Sequence, residues 1–196
     1  MNWRWAGMVA GVCSLWLAGC ATGPPPTFYV LQSPDSVELT GVERGVAVGV
    51  GPVELAPYLD RPQIVNRDSR FRLDLSEANQ WAEPLKFAIP RAIAVNLSNL
   101  LQSNRVYLIP MRRQVPLDYQ VAIDIPRFDG QLGGDAVLSA RWTVFRKDTS
   151  EVLLAKISVI REASESSDFE AMVAAGSRAL EKLSEQIASA IKAHEQ

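Results

Sequence analysis

Residues Tyr119 to Arg146 read YQVAIDIPRFDGQLGGDAVLSARWTVFR. Tyr119, Val121, Ile123 and Ile125 alternate with Gln120, Ala122 and Asp124. Asp129-Gly130 and Gly133-Gly134 then mark a turn. Beyond it Leu138, Ala140, Trp142 and Val144 share one face of a long strand. Asp148-Thr149-Ser150 turns the chain again, and Leu153, Ala155, Ile157 and Val159 share a face of the next strand. The pattern predicts a three-strand antiparallel meander with one apolar side, which needs a cover.

The flanks supply the cover. Downstream, Phe169, Met172, Val173, Gly176, Leu180, Leu183, Ile187 and Ile191 recur at helical spacing over about 168–193. Ser167 or Asp168 caps that helix. Upstream, Trp81, Leu85, Ile89, Ile93, Leu97 and Leu101 predict a second amphipathic helix over about 79–102. Asn79 or Glu83 is its expected cap, Pro84 suits its first turn, and Pro90 should kink it. Val106-Tyr107-Leu108-Ile109 reads as a short buried strand. Further upstream, Gln63-Ile64-Val65-Asn66 and the alternating Arg70-Phe71-Arg72-Leu73-Asp74-Leu75 read as a hairpin around Arg67-Asp68-Ser69. Gly45 to Val53 places Val46, Val48 and Val50 on one strand face. Ala47, Gly49 and Gly51 make the other, a face bare enough for a helix or another backbone to approach. Phe28-Tyr29-Val30-Leu31 is a last short strand, broken at Ser33-Pro34-Asp35-Ser36. Gly49-x-Gly51 is not a dinucleotide loop, since the third glycine is missing and Pro52 removes an N–H donor. Helices on a sheet in one domain is the natural packing, with both helices on one face or one on each.

The N-terminus sets the compartment. Arg4 precedes an apolar run, Ala6 to Leu17, that is too short to span a bilayer but suits a secretory leader. It ends at Leu17-Ala18-Gly19-Cys20, which matches a bacterial lipobox. Residues 1–19 are thus expected to be a lipoprotein signal peptide, and Cys20 the first mature residue, carrying an N-acyl chain and an S-diacylglycerol. Three acyl chains exceed the two-signal requirement for stable anchoring. Residues 20–27 form the lipidated cysteine and a tether stiffened by Pro24-Pro25-Pro26. Residues 28–196 form the body. Ala21 is not the aspartate that retains lipoproteins at the inner membrane, so the expected location is the outer membrane, facing the periplasm.

Composition narrows the chemistry. The chain is 47% hydrophobic with a net charge of −2, which gives no basic surface for nucleic acid. Cys13 leaves with the leader and Cys20 is acylated, so no disulfide, thiolate metal site or other cofactor is expected. The single histidine, His194, sits at the C-terminus, where chains fray. Asp124, Asp129 and Asp135 read either as turn aspartates or as a carboxylate pair. Calcium would need more regularly spaced oxygens. Tyr58, Asp60 and Arg61 lie between Pro57 and Pro62. They read either as a fixed recognition surface or as an internal salt bridge and turn. Trp81 reads as core or as partner contact. No enzyme is expected.

The block VGVGPVELAPYLDRPQIVNR (Val48 to Arg67), WAEPL (Trp81 to Leu85) and the helix after it resemble the PqiC family, auxiliary lipoproteins of ABC-type and MCE-type (mammalian cell entry) lipid transport systems. TFYVL (Thr27 to Leu31) and Trp142 fit as well. The resemblance implies an α/β fold of the α+β kind, like the anticodon-binding-domain group. That means one domain in which two long amphipathic helices cover a mixed, mainly antiparallel sheet in a three-layer arrangement. It implies a subunit that forms a homo-oligomeric ring or docks on an MCE-domain tunnel protein and its inner-membrane partner. Tyr58, Asp60, Arg61 and Trp81 are then the interface candidates. The competing readings are a periplasmic lipid carrier and a purely structural tether.

Overall fold

The computed structural model describes residues 25–34, 44–111 and 114–195. The leader, the lipobox with Cys20, and tether residues 21–24 lie outside the described residues. So do Asp35 and Ser36 of the expected break after the first strand.

Eight strands form one sheet: β1 (Thr27–Tyr29), β2 (Val48–Leu55), β3 (Gln63–Asn66), β4 (Asp74–Trp81), β5 (Val106–Leu108), β6 (Tyr119–Gly130), β7 (Asp135–Arg146) and β8 (Glu151–Ala163). Two helices, α1 (Leu85–Leu101) and α2 (Phe169–Lys192), and a 3-10 turn at Pro57–Leu59 complete the described residues. β6 is the spine. It pairs in parallel with β2 along Tyr119–Ile125 and with β3 at Gly130, while β7 runs antiparallel along its other edge. β8 continues the meander, β5 flanks β2, and β1 lies parallel to β4. The sheet is mixed and its long pairings are antiparallel, as the sequence pattern predicts.

Both helices lie against the same face and against each other. α1 covers β2 and β5, and α2 covers β6, β7 and β8. A buried hydrogen bond from Asn96 Nδ2 to Ser184 Oγ (3.3 Å) joins them. Leu138, Ala140, Trp142 and Val144 are buried beneath α2 together with Leu180, Leu183 and Ile187. Asp168 caps α2 by accepting from the Ala171 N–H (2.8 Å), with Glu170 in the first turn and Lys192 in the last, where the helix dipole favours each charge. On the other face the cover is not a helix. The bare side of β2 admits the chain after β5: a Cβ at Gly49 would stand 2.6 Å from Ile109 and 2.7 Å from Leu117, and one at Gly51 only 2.8 Å from the Ile109 carbonyl oxygen.

Four local expectations are corrected. The helix starts at Leu85, not near 79, because Pro84 disfavours helical geometry at the residue before it. Asn79 and Trp81 belong to β4 instead, and Pro84, not Asn79 or Glu83, stands at the N-cap. Pro90 lies inside the span of α1 and does not end it. The hairpin partner of β3 is Asp74–Trp81 and not Arg70–Leu75, so Phe71 stands in the connecting turn. β5 is a half-exposed edge strand rather than a buried one. Most consequentially, β8 buries the other face. Ser158, Ile160 and Glu162 point to α2, while Ile157 (62% exposed) and Val159 (56%) face solvent. The inward polar groups are all partnered. Ser158 accepts from Trp142 Nε1 (2.9 Å) and donates to Gln186 (2.7 Å), and Glu162 pairs with Lys182 (2.5 Å). A one-residue choice of face flips every side chain in a strand, and here pairing to α2 decides it over apolar alternation.

Leu183 is fully buried at the centre of α2. Leu183→Ala should cost about 2–5 kcal/mol in a denaturant titration, transfer and cavity contributions together. A change below about 0.5 kcal/mol would mean that α2 is not docked on the sheet.

Candidate functional site

The densest polar constellation is built around Asp129, near the end of β6. Its side chain is 0% exposed. Arg67, just past β3, grips it through Nε (3.0 Å) and Nη2 (2.6 Å). Arg127 Nε donates to the other side of the carboxylate (2.8 Å), and Tyr58 donates its hydroxyl from the 3-10 turn (2.9 Å). An ionised carboxylate can be buried only when its lone pairs are committed in this way. Burial works to raise the Asp129 pKa, but the hydrogen bonds from Arg67, Arg127 and Tyr58 outweigh it and hold the carboxyl below its ordinary value. Tyr58 is pushed up to about 12, first by burial and then by the Asp129 charge. The hydrogen bond to Asp129 raises Arg67 further. With both carboxylate oxygens committed to these donors, the cluster is a clamp.

The interface candidates are therefore dispersed. Tyr58 is half-buried and its hydroxyl is committed to Asp129. Asp60 is exposed and pairs with Lys86 at 3.4 Å. Arg61 is half-buried, and its Nε has no hydrogen-bond partner among the described residues. Trp81 is buried and stacks on Phe128, ring centroids 6.3 Å apart. Of the three aspartates read as a group, Asp124 lies opposite Arg141 on β7, Asp129 is the clamp and Asp135 starts β7. Among the described residues no three His, Cys, Asp or Glu side chains converge as metal ligands. His194 sets Nδ1 2.9 Å from the Ala190 carbonyl, and its own carbonyl accepts from the Tyr119 hydroxyl (2.9 Å). The sequence marks Tyr58 and Asp129 separately, and no spacing signal links them across 71 residues.

The interior holds little space. A cavity of about 20 Å³ lies between Leu59, Ile64, Trp81, Phe128 and Met172. That is room for about one water, against the several hundred Å³ typical of small-molecule sites. Gly176 and Gly130 help close it, since added Cβ atoms would meet Phe128 at 3.1 Å and Met172 at 2.8 Å. A wider groove of about 640 Å³, between residues 27–34 and α2, opens to solvent. No helix among the described residues is long and apolar enough to cross a membrane.

Residues 29–188 match the family of the ABC-type transport auxiliary lipoprotein component. The intermembrane transport lipoprotein PqiC of Escherichia coli K12 is 24% identical over 135 residues, 67% of this chain and 70% of that protein. Two solved structures share the fold. One, an uncharacterized protein, has a TM-score of 0.70 at 18% identity, covering 85% of this chain and 99% of its own. The other, protein XCC0632 of Xanthomonas campestris, has 0.65 at 20% identity, covering 87% and 95%.

The clamp generates a pH signature. The lowered pKa of Asp129 contributes stability above the ordinary carboxylate pKa of about 3.9 that is lost as pH falls through the lower folded value. The raised pKa of Tyr58 contributes stability present below about 10 and lost as pH rises to about 12. Asp129→Ala should cost about 3 kcal/mol, the low end for a broken buried pair. Tyr58→Phe should cost about 1.5 kcal/mol and flatten the alkaline limb of a stability–pH curve. An unchanged alkaline limb in Tyr58→Phe would contradict the assignment.

Proposed function

The chain belongs to the ABC-type transport auxiliary lipoprotein family, and on that premise we propose that it is the outer-membrane-anchored, periplasmic subunit of an MCE/ABC-type lipid transport system. Cys20 carries the acyl chains. The body self-associates into a ring, or docks singly, at the end of a periplasm-spanning MCE-domain tunnel, and it supports envelope integrity in that role. The observation that carries this reading is the family match across residues 29–188. The lipobox supports the anchor. A cavity of about 20 Å³ weighs against a lipid carrier with its own enclosed site.

The surface suggests where self-association occurs. β8 is a 13-residue strand that, among the described residues, stands at the sheet edge and pairs with β7 alone. It exposes Val152, Ile157 and Val159. Long free edges with apolar faces are normally blunted or covered. We assign this edge, rather than the committed Tyr58, as the main contact between copies, with Asp60 and Arg61 as rim candidates.

Size-exclusion chromatography with light scattering should show the mature protein as an oligomer at micromolar concentration, and a pull-down should capture the MCE-domain partner. Ile157→Glu with Val159→Glu should reduce the oligomer to a monomer with unchanged circular dichroism. A wild-type protein that stays monomeric and captures no MCE-domain partner would leave only a tether.

A further inference from the structure

We propose that the tip of the β3–β4 hairpin, centred on Phe71, rests in the phospholipid surface that holds the acyl chains. The proposal rests on the reading of Cys20 as the anchor.

Phe71 is 92% exposed, the most exposed large apolar side chain among the described residues. It is not on a loose strand. The turn that carries it is closed by the Ser69 N–H donating to the Arg72 carbonyl (3.3 Å) and the Phe71 N–H donating to Ser69 Oγ (3.4 Å). Its base is fixed by the Arg67–Asp129 pair. A single exposed apolar residue is ordinary. What distinguishes this one is its position relative to the tether.

β1 runs parallel to β4, with Thr27 beside Asn79 and Tyr29 beside Trp81. Parallel strands share a direction. The chain upstream of Thr27 therefore enters from the end at which β4 begins, and that end carries the hairpin tip. β4 starts at Asp74, 79 − 74 = 5 residues before Asn79, or about 17 Å along the strand. Phe71 lies three residues further out. The tether from Cys20 to Thr27 has 27 − 20 = 7 steps, which span about 22 Å in polyproline geometry and at most about 25 Å. A segment of that length is long enough for an anchored Cys20 to reach the level of the Phe71 ring at the same end of the body.

Charge favours insertion over simple attraction. Arg72 is paired with Asp68, and the Arg70 guanidinium lies 5.9 Å from the Phe71 ring centroid. Asp74, Asp135 and Glu165 are exposed at the same end. The named charges, Arg70 and Arg72 against Asp68, Asp74, Asp135 and Glu165, leave a net negative end, so attraction to an anionic surface cannot drive the contact; it should be an apolar one at the headgroup boundary, with Arg70 reaching to phosphate as long basic side chains do. It should therefore depend little on the anionic lipid fraction. Val152, 54% exposed beside the β7–β8 turn, marks the opposite end of the sheet.

The test uses the full lipidated protein reconstituted into phosphatidylethanolamine–phosphatidylglycerol vesicles. The native Trp81 and Trp142 are both buried, so an introduced indole can be read above the wild-type signal. In Phe71→Trp the added emission should be blue-shifted and quenched at least twofold by lipids brominated near the carbonyls, at both low and high phosphatidylglycerol content. Val152→Trp should stay unquenched. Protein that floats with the vesicles while the Phe71→Trp indole remains water-exposed overturns the tip contact and leaves the anchor standing. So does quenching equal to that of Val152→Trp, or shielding of the indole only when the MCE-domain partner is added. Protein that fails to float overturns the anchor and the tip contact with it.

Discussion

The buried carboxylate of Asp129 is the constraint on which the β1 end of the sheet depends. It draws Tyr58 and Arg67 to β6 from 71 and 62 residues away. An uncompensated charge there would cost several kcal/mol, so the three donors must be in place whenever the domain is folded. Their placement fixes the 3-10 turn against β6 and the base of the β3–β4 hairpin beside Gly130. β4 in turn supplies the parallel partner for β1, the first strand of the described residues. Gly130 lets Met172 of α2 pack directly on the end of β6. One buried ion cluster therefore sets how β1, the hairpin tip and the start of α2 are arranged.

Much of the fold was legible in the chain because two strong periods run through it. The meander strands, α2 with its Asp168 cap, and the bare face of β2 all follow from apolar spacing and side-chain size. The errors share a cause: local pattern met a stronger constraint. On β8, Ile157 and Val159 look like core, yet Ser158, Ile160 and Glu162 face inward because Trp142, Gln186, Lys182 and Arg178 receive them. At Trp81, helical spacing suggested a helix that Pro84 prevents, and the ring closes β4 against Phe128 instead. Phe71 and Leu73 mimic strand alternation in what is a turn.

The candidate site was legible only in part. Tyr58 stood out between two prolines, and an internal salt bridge was one reading of its surroundings. Its true partner, Asp129, lay in a stretch that reads as turn chemistry, and Arg67 and Arg127 carried no signal. Spatial convergence across parallel strands leaves no spacing rule in one sequence. The lipobox is different, since its meaning lies in adjacent residues.

Among the described residues, a cavity of only about 20 Å³ behind the clamp and an apolar edge on β8 suit a body that works through its surfaces. We propose that this chain docks a transport conduit at the membrane and does not itself enclose the transported lipid. Native mass spectrometry of the mature protein, gently extracted from membranes, tests that claim most directly. One covalent triacyl modification on Cys20 per chain and no stoichiometric non-covalent lipid are the expected result. One phospholipid retained per chain, lost only on unfolding, would contradict it.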